Sequence, residues 1–199
     1  MQTKPTSLFS WPLVGVLVLL FMLSLGGLLY GNYTAGDSAL WQMIVNGLIL
    51  SLPLALLFGL TGVLIVAARQ KKQGAIDQRL ARLIYWSPRA AGIAIIFFVS
   101  LFALDSFSPE YTLGEMLLGF LMHMLPSIGM IILLVIAWRW EWVGFAAFLL
   151  AALFFMRTLL GGLDQALGMF LLFSGPMLLI SLLFGANWRW RNEIRPPLN

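Results

Sequence analysis

About 20 consecutive apolar residues, wound as an α-helix, cross a hydrocarbon core of about 30 Å. This chain contains six stretches that meet or approach that length, at about 11–30, 40–68, 90–107, 113–138, 142–160 and 165–188. Inside a bilayer every backbone amide must find its partner within the protein, so such stretches fold as helices or not at all. The expected fold is therefore an all-α, polytopic transmembrane bundle of six helices forming a single domain over residues 1–199. Composition agrees: 61% of residues are hydrophobic and 10% are charged, against about 25% charged in an ordinary soluble domain. So little charge excludes a soluble enzyme with a polar surface, a disordered chain and a nucleic-acid-binding domain.

The first stretch is read as a retained helix rather than a cleaved leader. Its only basic residue is Lys4, and Gly31, Asn32, Tyr33 and Thr34 follow it instead of a small-residue cleavage site. Ser87 and Pro88 are expected to open the third helix as N-cap and first residue. Orientation follows from the basic residues. Residues 69–89 form a basic loop with Arg69, Lys71, Lys72, Arg79, Arg82 and Arg89, while Arg139, Arg189, Arg191, Arg195 and Lys4 fall on the same side. Only Arg157 falls on the other. Excess Lys and Arg mark the cytoplasmic side. The expectation is a multi-pass protein of the inner (cytoplasmic) membrane with both termini cytoplasmic. Within the basic loop, Ile76, Leu80, Leu83 and Ile84 share one helical face, which predicts a short helix lying on the inner leaflet, or alternatively docking a partner.

The fourth and sixth stretches match at an offset of 50 residues: Pro126 with Pro176, Trp138 with Trp188, Arg139 with Arg189 and Trp140 with Trp190. The third and fifth match at an offset of 52, pairing Gly92 with Gly144 and Leu101 with Leu153. Two helical hairpins in one orientation are expected, with spans 1 and 2 as a degenerate third copy. The Trp-Arg-Trp triplets suit interfacial anchoring, since indole rings prefer the headgroup level and arginine suits a helix C-terminus. Pro53, Pro126 and Pro176 each predict a kink.

Cysteine is absent and His123 is the only histidine, so no thiolate chemistry, disulfide or His-rich metal site is available. No cofactor is expected. His123 lies about 10 Å into the fourth helix at 1.5 Å per residue, with Ser127 one turn further on the same face. An ionisable group at that depth is a functional candidate; the preferred reading is a neutral imidazole that fixes helix packing. Asp105 and Arg157, near the outer ends of spans 3 and 5, are expected to form a structural ion pair. His123, Asp105, Arg157 and Ser127 together make the candidate intramembrane polar site. Thr112 and Glu115 are spaced as a capping box, and Asp37 and Asp164 as helix caps.

Phe102-Ala103-Leu104-Asp105, His123-x-x-Pro126 and Ala137-Trp138-Arg139-Trp140-Glu141, followed by Gly144, form a pattern that resembles a family of small bacterial integral-membrane proteins described only as a domain of unknown function. The resemblance covers about residues 80–155. It implies a bacterial or archaeal membrane protein and no particular activity, substrate or cofactor. The functional expectation is a non-enzymatic, membrane-embedded subunit or assembly module. Its partners would be membrane lipids and another membrane protein or a second copy of itself, with no nucleic acid. A small transporter component using the polar site around His123 is the alternative, and an intramembrane lipid-acting enzyme a further one.

Overall fold

The computed structural model describes residues 9–35, 40–74, 76–157 and 167–194, and every regular element among them is helical. The elements in order are α1 (Trp11–Ala35), α2 (Leu40–Lys72), α3 (Gln78–Leu101), a 3-10 turn (Phe102–Ser106), α4 (Leu113–Arg139), α5 (Glu141–Met156), α6 (Leu167–Arg189) and the four-residue α7 (Arg191–Ile194). Five of them, α1, α2, α4, α6 and α3 with its 3-10 extension, are long and apolar enough to cross a membrane. Six were expected. The exception is α5, whose 16 residues rise about 24 Å at 1.5 Å per residue. Residues 158–160, expected to complete that span, lie outside the described residues, as do Asp37, Asp164, Lys4 and Arg195.

The third helix does not begin at Pro88. It starts ten residues earlier, at Gln78, with Asp77 as its N-cap accepting from Arg79 N–H at 3.2 Å. The chain reverses between α2 and α3 through Gly74, whose positive φ of 93° suits a residue without a side chain. The separate surface helix expected over 76–84 is therefore the first part of α3. Its apolar stripe is covered by protein: Leu80 and Ile84 are fully buried. Ser87 makes no cap; its hydroxyl donates weakly to Ile84 O at 3.5 Å. A proline within a helix deprives the carbonyl four residues back of its donor, and for Pro88 that carbonyl is Ile84 O. The side chain of Asn187, from α6, supplies the missing bond at 2.7 Å. The helix tolerates its proline because another helix satisfies the orphaned group.

The other prolines meet different local solutions. Pro53 and Pro126 lie inside α2 and α4, which run on through them. Pro176 follows a π-helical turn at Phe170–Ser174, closed by Gly175 N–H donating to Phe170 O. Glycine is needed there. A Cβ on Gly175 would stand 2.8 Å from Phe170 O of the turn itself and 2.7 Å from Leu57 Cδ1, a side chain of α2 packed onto the turn. The capping box forms as its spacing predicts: Thr112 N–H donates to Glu115 Oε2 at 2.8 Å, and Glu115 N–H to Thr112 Oγ1 at 3.4 Å.

Helix α6 is the centre of the packing. It contacts α2, α3 and α5, and Met177, Ile180, Leu183 and Phe184 are buried completely. Phe184 stacks on Phe148 of α5 with ring centroids 5.9 Å apart. Gly144 lies against the same ring, where an added Cβ would fall 2.7 Å from Phe184 Cγ. Gly92 takes the corresponding place between α3 and α4, 2.9 Å from Leu134 Cδ1 by the same measure. Both glycines let neighbouring helices approach closely, as small residues do in membrane bundles. In contrast, α1 packs mainly on α2, and α4 buries only Ser127, Leu134 and Ala137.

Candidate functional site

The ends of α2, α4 and α6 and the starts of α3 and α5 gather at one end of the bundle. Lys71 pairs there with Glu193, linking the end of α2 to α7. Arg69, Lys72, Arg79, Arg82, Arg139, Arg189 and Arg191 lie on the helix ends and starts gathered here, which makes this the basic end. Arg89 was expected among these surface charges. It is instead 0% exposed, one and a half turns beyond Ile84 inside the bundle.

Arg89 reaches Glu141, the first residue of α5, with Nη2 3.4 Å from Oε1. Glu141 is 5% exposed. The guanidinium lies over the Tyr85 ring, 3.9 Å from its centroid, and Nη1 donates to the Tyr85 carbonyl. A buried charge is tolerated only when paired and hydrogen-bonded, and the planar guanidinium meets a carboxylate, a carbonyl and a ring face at once. Asn187 completes the knot, donating to Ile84 O at 2.7 Å and to Leu183 O at 2.8 Å. Four buried or half-buried polar side chains, Tyr85, Arg89, Glu141 and Asn187, thus tie α3, α5 and α6 together. Ser181 adds a direct α6–α5 bond, donating to Phe145 O at 2.7 Å.

The knot is hidden in the sequence because Ser87-Pro88 makes Arg89 look like the first turn of a helix, where arginine reads as a topology signal, and Glu141 opens α5, where glutamate reads as a dipole partner. A signal was present. Arg89 and Glu141 are 52 residues apart, the offset that relates Gly92 to Gly144, and each precedes its glycine by three residues. Opposite charges at matching positions mark a contact between α3 and the start of α5.

The structure does not bring His123, Asp105, Arg157 and Ser127 into one site. His123 Nδ1 faces Gly119 O at 2.8 Å and Ser106 Oγ at 3.3 Å, on an outward part of α4. Ser127 is buried, and its hydroxyl has no hydrogen-bond partner among the described residues. Asp105 and Arg157 make no ion pair with each other: among the described residues the ion pairs are Lys71–Glu193 and Arg89–Glu141. Arg157 is exposed, its guanidinium 6.0 Å from the Phe154 ring centroid. Asp105 instead lines a cavity of about 340 Å³ with Asn32, Asn46, Phe98 and Phe102. In the triplets, Trp138, Arg139, Trp140, Trp188 and Arg189 are exposed and Trp190 is half-buried. No group of three or more metal-ligating side chains occurs among the described residues.

No curated protein and no solved structure matches the chain. A family model does match, over residues 77–195, from the N-cap of α3 past α7. That is wider than the 80–155 over which the sequence pattern was read, and like the pattern it leaves out α1 and α2. The chain belongs to the family defined by the domain of unknown function DUF7670.

Proposed function

We propose that this protein is a non-enzymatic subunit or assembly module of a prokaryotic cytoplasmic membrane, crossing it six times with both termini inside, and holding lipid and a partner protein or second copy against its outer faces. The observation that carries this reading is the one-sided burial of α4. Leu117, Leu118, Leu121, Met122 and Leu125 all point outward, while the buried charges Arg89 and Glu141 bind each other. Helix α1 adds Leu19, Met22 and Leu23 to the exposed apolar surface. A large contiguous apolar face on a folded protein marks a membrane or protein contact. The repeat gains support from the matched glycine contacts at Gly92 and Gly144, which fit two α-hairpins related by an axis near the membrane normal. The Trp-Arg-Trp triplets then serve as anchors at the cytoplasmic headgroup level, and α5 crosses as a short span with local thinning of the bilayer.

Photo-crosslinking in native membranes tests this reading. A photoreactive residue at Leu118 or Met122 is expected to give protein–protein adducts, and one at the buried Leu134 none. Adducts to lipid alone from every outward position of α1 and α4 would overturn it. A second reading, a small transporter component, is favoured by the cavity at Asp105, where a carboxylate, two carboxamides and two phenyl rings converge. It differs in requiring Asp105→Asn to abolish flux without affecting assembly.

A further inference from the structure

We infer that the cleft between α2, α5 and α6 at the basic end binds one anionic phospholipid from the adjoining leaflet. The inference rests on the membrane-spanning reading proposed above, but not on any partner protein. The cleft holds about 520 Å³, within the range of pockets that take small ligands. Its walls are almost wholly carbon, with Leu64 and Ala68 from α2, Phe145 from α5 and Gly185 from α6. Two of these walls meet closely: a Cβ at 185 would stand 3.0 Å from Phe145 Cδ2. Walls of this kind suit acyl chains and offer nothing to a polar solute.

The cleft lies among basic residues. Arg189 lines it beside Trp188. Arg89 and Lys71 each have an acidic partner, whereas Arg189 has no ion-pair partner among the described residues. On α2, Leu64 and Ala68 are four residues apart, so the same helical stripe carries Lys72 one turn closer to the basic end. Lys72 also has no ion-pair partner among the described residues. An apolar slot leading to two cations matches a molecule with apolar chains and one anionic phosphate. Guanidinium recognises phosphate oxygens bidentately, and indole suits the headgroup level. A partner helix would fill the slot but leave both cations unanswered.

Native mass spectrometry of the full chain in mild detergent tests this, using dioleoyl-phosphatidylglycerol, dioleoyl-phosphatidylcholine and soluble glycerol phosphate as probes. The wild type is expected to retain one phosphatidylglycerol about tenfold better than phosphatidylcholine, and glycerol phosphate should not compete. Arg189→Gln should cut the preference to about threefold, leaving the share that Lys72 supplies. Ala68→Phe should block both lipids by filling the slot. Arg139→Gln, which removes the same residue from the other triplet and does not line this cleft, should change nothing. All variants are compared at matched, monodisperse elution. Equal retention of the two lipids by the wild type would overturn the assignment. So would competition by glycerol phosphate, an equal loss with Arg139→Gln, or a dimer without lipid that Ala68→Phe dissolves. None of these results bears on crosslinking from α4, so failure here and failure of the subunit reading are separately visible.

Discussion

Glu141→Leu alone is expected to destabilise the bundle by about 3–5 kcal/mol, the usual cost of leaving one member of a buried ion pair without its partner. Arg89→Met alone should cost a similar amount. The pair replaced together, Arg89→Met with Glu141→Leu, should recover most of the loss. Apolar groups of similar volume remove both desolvation penalties, and the surrounding ring of Phe184 accepts either side chain. The recovery will fall short of complete to the extent that the contact of the guanidinium with the Tyr85 ring contributes. Reversible unfolding in mixed micelles, read through the eight tryptophans, gives all four free energies of the cycle. Two single variants as stable as the wild type would mean that the pair is not closed off as its burial indicates. A folded double variant of wild-type stability would show that these charges serve the fold rather than a reaction.

The second large effect concerns the bond that crosses from α6 to α3. Asn187→Leu should cost about 1–3 kcal/mol, because it leaves the Ile84 carbonyl, which Pro88 cannot satisfy, with only the long Ser87 hydroxyl contact. In a Pro88→Ala background the same substitution should cost distinctly less. Alanine restores an N–H at position 88, and the helix then closes its own bond to Ile84 O. The two changes are thus expected to be non-additive, with the coupling in favour of the double variant. Strict additivity in the same unfolding measurement would remove Asn187 from its role as the substitute donor for the proline. The Leu183 O bond of Asn187 is lost in both backgrounds and cancels from the comparison.

These two effects also mark the line between what could be read from the chain and what needed the folded molecule. Helices follow from hydropathy because the bilayer leaves the backbone no other option, and the Thr112–Glu115 cap follows from local spacing. Helix starts were harder. Ser87-Pro88 has the form of an N-terminus, yet the helix continues through it because Asn187, about a hundred residues away, repairs the missing bond. No local pattern contains that information. The buried charges were missed for a related reason. Arg89 lies within a run of basic residues that otherwise stays at the surface, and its partner is 52 residues distant. Conversely, the pairing of Asp105 with Arg157 is expected from their similar depth alone. Depth does not fix the rotation of a side chain around its helix, and Asp105 lines a cavity with Asn32 and Asn46 instead. His123 contacts Gly119 O, one turn back on its own helix, and Ser106 Oγ, and neither partner is a member of the expected site.

The proposed arrangement places the basic end of the bundle in the cytoplasm and has α5 and α6 complete a crossing and a return. The absence of native cysteine makes this directly measurable. Single cysteines at Gln73, between α2 and α3, at Ser108, between α3 and α4, and at Asn192, in α7, are labelled with a membrane-impermeant maleimide. Ser108→Cys should react in intact cells, while Gln73→Cys and Asn192→Cys should react only after permeabilisation. Labelling of Asn192→Cys or Gln73→Cys in intact cells, or protection of Ser108→Cys there, would contradict the six-crossing, both-termini-inside arrangement.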